Sequence, residues 1–117
     1  MEIARIAVLG AGQMGNGITQ VAALAGFSVT MIDIEQVYVD KGLATIETSL
    51  GKLVAKERIS QADSDSAMSL IRITTERSHC GDADLVIEAI PEIPELGMLF
   101  VDFLKNAFAP SIRSFSR

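Results

Sequence analysis

Gly10, Gly12 and Gly15 fall within one hexapeptide, Gly10-Ala11-Gly12-Gln13-Met14-Gly15, set between an apolar run and a stretch of helical spacing. The run before it, Arg5 to Leu9, is almost uninterrupted in its apolar character and suits a central parallel strand buried on both faces. The stretch after it, from about Met14 to Ala25, brings Ile18, Val21, Ala22 and Ala25 onto one helix face, and Gly26 lies where a left-handed C-cap is wanted. A G-x-G-x-x-G turn between strand and helix has a mechanical meaning. Gly10 permits the tight turn, the bare backbone at Gly12 lets a pyrophosphate approach, and Gly15 allows the helix to pack close to the strand. Free N–H groups at the helix start, together with the positive end of its dipole, then hold two phosphates. The plainer reading is a glycine-rich turn without a ligand, and the placement between strand and helix weighs against it.

The rest of the chain alternates short β-branched runs with helical stretches and contains no repeat, the pattern of an α/β fold whose parallel sheet is covered by helices. A second strand is expected from Ser28 to Ile32, ending at Asp33. From Gln36 to Lys56 the apolar positions Val39, Leu43, Ile46, Leu50 and Leu53 recur at steps of four and three, which predicts one long amphipathic helix. Ser60 followed by Asp63 marks the start of a shorter helix carrying Ala67, Met68 and Leu70, ahead of a third strand at Ile71 to Thr74. Two helices between strands two and three are expected to form an antiparallel hairpin protruding from the sheet. After a turn at Ser78 to Ala83, a fourth strand runs from Leu85 to Ala89 and stops before Pro91. A last helix is expected to start near Pro94, with Leu96, Leu99, Phe100, Phe103, Leu104 and Ala107 on its apolar face.

Composition narrows the function. A length of 117 residues is about one domain and leaves no room for a separate substrate domain. Hydrophobic residues make up 49 %, too many for a disordered chain. Fifteen acidic residues against ten basic ones, a net charge of −5, argue against a nucleic-acid partner. One cysteine, Cys80, excludes an intrachain disulfide, and with His79 alone beside it no tetrahedral metal cluster is readable. The apolar runs are too short to cross a bilayer and the N-terminus lacks a signal-peptide layout, so a cytoplasmic chain without membrane contact is expected.

Asp33 stands eighteen positions after Gly15, where a carboxylate can accept hydrogen bonds from the adenosine ribose hydroxyls. Glu35 adds negative charge, and no Arg or Lys lies between Asp33 and Lys41 to clamp a ribose 2′-phosphate. NAD is therefore the expected cofactor and NADP a poor one. A turn or helix-capping carboxylate is the plainer role for Asp33.

Gly10-Ala-Gly-Gln-Met-Gly-Asn-Gly-Ile18-Thr-Gln20, then Asp33, then Val86-Ile87-Glu88-Ala89-Ile90-Pro91-Glu92 resemble the NAD-binding half of the 3-hydroxyacyl-CoA dehydrogenases, particularly the prokaryotic 3-hydroxybutyryl-CoA type. Lys41-Gly-Leu-Ala-Thr-Ile46, Lys52-Leu-Val-Ala-Lys56 and Ile59-Ser60 resemble that family's long helical hairpin. The resemblance covers roughly residues 3 to 110 and implies a Rossmann-type doubly wound sheet, with residues 111–117 as a tail that does not match. It further implies oxidation of the 3-hydroxyl of an acyl-CoA thioester by NAD, as in fatty-acid and butanoate metabolism.

By that resemblance the Gly10 to Gly15 loop serves the pyrophosphate, Asp33 the adenosine ribose, and Ala89 with Glu92 the nicotinamide side of the crevice. Ser49 and Lys56 align with positions that touch the CoA moiety; a solvated helix face is their plainer reading, as a first-turn carboxylate is for Glu92. Gly97 stands where the family usually has a lysine reaching toward the cofactor. The family's Ser-Asn-Thr-Ser-Ser strand, the Gly-x-His-Phe segment with the catalytic base and the helical C-terminal domain find no counterpart, so the chain is expected to be a truncated or split portion without catalytic residues. His79 precedes strand four and is expected to be a surface loop residue rather than a base. Two other readings stay open from the residues: a binding or assembly module completed by a second copy or another chain at an exposed strand-four edge, and a different Rossmann oxidoreductase, such as a 3-hydroxyacid dehydrogenase.

Overall fold

The computed structural model describes residues 3–89. Four strands, β1 (Arg5–Leu9), β2 (Ser28–Ile32), β3 (Ile71–Thr74) and β4 (Leu85–Glu88), form one parallel sheet in the order β3-β2-β1-β4. Three helices accompany them: α1 (Gln13–Leu24), α2 (Gln36–Ala55) and α3 (Gln61–Ser69). A 3₁₀ turn, Arg77–Asp82, leads into β4. The expected strand boundaries hold at β1, β2 and β3, and β4 ends one residue early. The expected last helix near Pro94, along with Glu92, Gly97 and residues 111–117, lies outside the described residues.

The sheet register brings the four strands to a common carboxyl end. Leu9 pairs with Ile32 on one side and Glu88 on the other, and Ile32 pairs with Thr74. Ile6, Val8, Val29, Met31 and Ile87 point to one face, where they meet Ile18, Val21 and Ala22 of α1 and Val39, Ile46 and Leu50 of α2 in a single buried cluster. Ala7 and Ile32 are also buried while facing the other way, as their place in central parallel strands requires.

Between β2 and β3 the chain runs out along α2 and back along α3. Twenty residues of α2 rise about 30 Å, whereas the five residues of a strand such as β2 span about 17 Å, so α2 outruns the sheet. It stops at a left-handed residue, Glu57 (φ 58°), after which the Arg58 amide donates back to the Leu53 carbonyl. Buried Ile59 leads into α3, whose start is a complete capping box: the Ser60 hydroxyl accepts from the Asp63 amide at 3.0 Å and the Asp63 carboxylate accepts from the Ser60 amide at 3.1 Å. Such caps contribute about 1 kcal/mol, and this one matters because α3 has little apolar patterning of its own.

At the amino end of the sheet, Asp84 ties β4 to β1. One carboxylate oxygen accepts from the amides of Ala4 and Arg5, each at 2.9 Å, while the Asp84 amide donates to the Arg5 carbonyl at 2.8 Å. The Ala4 and Arg5 amide donors hold the Asp84 carboxyl below the usual aspartate range. A group with a depressed folded pKa contributes stability above its unfolded pKa of about 3.9 and loses it as pH falls through the folded value. Asp84→Asn is therefore expected to be less stable than the natural chain at neutral pH, by a constant margin down to about pH 4. That margin closes at lower pH, and urea unfolding across the acid range measures it.

Candidate functional site

The common carboxyl end of the sheet gathers the residues singled out from the sequence. The Gly10 amide donates to the Ile32 carbonyl at 2.6 Å and the Ala89 amide to the Leu9 carbonyl at 2.9 Å, which lays the glycine loop between the ends of β2 and β4. Gly10 has φ +114°, a conformation side chains rarely adopt, and a Cβ there would lie 3.2 Å from the Ala89 carbonyl oxygen. A Cβ at Gly15 would overlap the Gly10 carbonyl and touch the Ala89 methyl, so α1 can sit this close to β1 only with glycine. Ala89 thus forms one wall of the loop.

Gly12 differs from its neighbours. Nothing lies within 4 Å of the place where its Cβ would be, and the position is exposed. It is the N-cap of α1, with no side-chain cap, and the first turn carries no acidic residue. The first helical hydrogen bond runs from the Asn16 amide to the Gly12 carbonyl, so the amides ahead of it have no partner along the helix. Open space, uncapped amides and the positive end of α1 coincide at one point, which is what a pyrophosphate requires. Gln13 is exposed and Met14 half-buried beside it.

Asp33 lies where β2 ends. Its Oδ2 accepts from the Ala11 amide at 2.8 Å and its Oδ1 from the Ile34 amide at 2.7 Å. An ionised carboxylate offers about four acceptor sites, so each oxygen retains one for an incoming donor. Glu35 is exposed just beyond, and Ile34, Val37 and Tyr38 form exposed apolar surface at the start of α2, with Ile34 75 % accessible. Those three residues were not singled out in the sequence, where exposed and core-facing apolar positions look alike.

Ser49 and Lys56 both lie on the α2 side of the molecule, the first half-buried and the second exposed at the helix C-cap. Ser49 lines an open groove of about 370 Å³ with Lys41, Ala44, Thr45, Thr48 and Lys52. The groove's cations are Lys41 and Lys52, which the sequence does not single out; Lys56 is one turn further on. His79 sits on the 3₁₀ turn, its side chain 51 % accessible and its Nε2 3.9 Å from Glu76. Cys80 is a free, half-exposed thiol next to it. Among the described residues no group of three or more His, Cys, Asp or Glu is placed to hold a metal ion, and no helix is long and apolar enough to cross a membrane.

Known proteins resemble this chain in sequence and fold. A family model described as the NAD binding domain of 3-hydroxyacyl-CoA dehydrogenase matches residues 5–111. A probable 3-hydroxybutyryl-CoA dehydrogenase of Deinococcus radiodurans is 46 % identical over 88 residues, 75 % of this chain and 31 % of that protein. The 3-hydroxybutyryl-CoA dehydrogenase of Bradyrhizobium diazoefficiens is 40 % identical over 94 residues, 80 % of this chain and 32 % of that protein. The crystal structure of (S)-3-hydroxybutyryl-CoA dehydrogenase from Ralstonia eutropha superposes with a TM-score of 0.75 at 37 % identity, covering 90 % of this chain and 37 % of that one. The chain spans about a third of the length of the curated relatives it matches. A parallel sheet ordered 3-2-1-4, a glycine loop at its carboxyl end and a match over most of the sequence lead to one assignment: the chain belongs to the 3-hydroxyacyl-CoA dehydrogenases, as their Rossmann-type NAD-binding domain.

Proposed function

We propose that this chain is the cofactor-holding portion of a 3-hydroxybutyryl-CoA dehydrogenase acting in fatty-acid or butanoate metabolism in the cytoplasm. The observation that carries the reading is the opening at Gly12, where uncapped α1 amides face free space beside the Asp33 carboxylate. In this reading residues Gly10 to Gly15 receive the pyrophosphate, with the Gly12, Gln13 and Met14 backbone as donors. Asp33 accepts from the adenosine ribose, and Ile34 and Tyr38 give the planar base an apolar wall. Ala89, and Glu92 beyond the described residues, flank the nicotinamide side. Bound NAD would supply the hydride acceptor for an alcohol carbon. Ser49 and Lys56, with the groove cations Lys41 and Lys52, are read as the face that meets the phosphate-rich CoA tail.

Isothermal titration of the purified chain tests the cofactor half. NAD is expected to bind, and NADP at least about tenfold more weakly, because a 2′-phosphate would meet Asp33 and Glu35 with no cation between Asp33 and Lys41. Asp33→Ala is expected to weaken NAD by about tenfold or more, since a hydrogen bond to a charged group contributes about 1.5–3 kcal/mol. Equal affinity for the two dinucleotides would overturn the assignment of Asp33.

No residue of this chain is assigned as the base that takes the hydroxyl proton. His79, half exposed on the 3₁₀ turn with a carboxylate 3.9 Å away, is read as a surface residue. The expected result with 3-hydroxybutyryl-CoA and NAD is binding without formation of NADH. Sustained NADH production by the purified chain would refute this part of the reading.

One observation favours a variant in which the domain works within an assembly. β4 is an edge of the described sheet, and Val86 on it is 45 % accessible. A second copy or a complementing chain pairing at this edge is expected to show in light scattering as a mass above that of one chain. A monodisperse monomer at working concentration would count against it.

A further inference from the structure

Two glycines interrupt α2, and their surroundings differ. Gly51 is exposed, with nothing within 4 Å of the place a Cβ would take. Gly42 is buried, and a Cβ there would lie 2.7 Å from the Ala11 carbonyl oxygen, 3.1 Å from the Ala11 methyl and 3.0 Å from the Met31 Cε. The Met31 methyl can swing aside, but the Ala11 backbone cannot do so without moving the loop. Glycine in a helix interior is unfavourable relative to alanine, so Gly42 spends helix stability on a close approach of α2 to residue 11.

Residue 11 is the second position of the glycine loop and is only 3 % accessible. Its amide is held by Asp33 at 2.8 Å, and its carbonyl and methyl lie against α2 at Gly42. The next residue, Gly12, presents the open, uncapped start of α1. Any outward shift of Ala11 therefore displaces the donors that follow it, and constellations of this kind depend on placement to within about half an ångström.

We propose that Gly42 is a positioning residue for the dinucleotide loop, seating α2 against Ala11 so that the amides at and after Gly12 stay aimed at the pyrophosphate. This rests on the reading that the loop holds NAD. It also makes α2 a rigid spacer, because the helix that braces the loop at Gly42 carries Ser49 two turns further along.

The matched pair Gly42→Ala and Gly51→Ala tests the proposal in the full chain. Both substitutions remove a helix glycine, and only the first adds an atom against the loop. Gly42→Ala is expected to raise the NAD dissociation constant about tenfold, while Gly51→Ala leaves it within about twofold. Without ligand, hydrogen exchange at the Ala11 amide is expected to speed up in Gly42→Ala alone, as its bond to Asp33 loosens. The double variant, in which Gly51→Ala strengthens the helix, keeps the comparison valid if Gly42→Ala alone folds poorly, and its affinity should match that of Gly42→Ala. Unchanged Ala11 exchange, NAD affinity within about twofold of the natural chain, or equal weakening by the two single variants would overturn the role of Gly42. Failure of the unsubstituted chain to bind NAD would instead overturn the cofactor reading, while the exchange measurement still decides whether Gly42 braces the loop.

Discussion

The hydrogen bond from the Ala11 amide to the Asp33 carboxylate, 2.8 Å long and spanning twenty-two positions of sequence, joins the two turns on which the site depends. β1 and β2 already lie in register, with Leu9 opposite Ile32, but a ladder fixes only the strands. Beyond its last rung each chain is free to turn as its residues allow. The Asp33 bond extends the pairing by one step past the ladder and sets the glycine loop against the end of β2. A charged acceptor makes this stronger than an ordinary amide bond. With Ala11 fixed, Gly12 falls at the mouth of α1 and the helix dipole has a defined target.

The packing beneath the loop follows the same logic. Ile6, Val8, Val29 and Met31 give the helices an apolar floor, and α1 descends onto it because Gly15 carries no side chain to strike the Gly10 carbonyl. α2 packs beside α1 with Val39, Ile46 and Leu50 buried at 0 % accessibility. The loop is therefore enclosed by Ala89 on one side, Asp33 on another and α2 below. Among the three glycines of the loop, open space lies at Gly12. A site this constrained holds its donors in place before any ligand arrives, which reduces the ordering cost of binding.

Local chemistry was readable in the sequence and distant contact was not. The glycine spacing, the alternation of strand and helix, the heptad-like run through α2 and the Ser60–Asp63 capping box each depend on residues a few positions apart, and each appears where the sequence placed it. α1 begins at Gln13, one residue ahead of the start the sequence suggests, because an N-cap glycine carries no side-chain signal. Three features escaped. Nothing in the sequence around Gly42 signals its close approach to Ala11, thirty-one positions away in the chain. The sequence carries no signal for the role of Asp84, because its partners Ala4 and Arg5 donate through backbone amides that any residue would supply. Lys56 is implied by the family resemblance, and neither that nor helical spacing says that Lys41 and Lys52 border the groove.

The two oxygens of Asp33 show how structure and selectivity reduce to one count. Each already accepts one backbone N–H, from Ala11 at Oδ2 and from Ile34 at Oδ1. An ionised carboxylate has no proton to give, so whatever fills the two remaining sites must be a donor. The adjacent hydroxyls of a ribose are two such donors, whereas a phosphate in place of one of them is an acceptor carrying further negative charge. Replacing Asp33 with a neutral residue to admit that phosphate would also release the Ala11 amide and loosen the glycine loop. On the proposed reading, a preference for the unphosphorylated dinucleotide is tied to the same bond that shapes the loop, and reversing it would require a second change to hold Ala11.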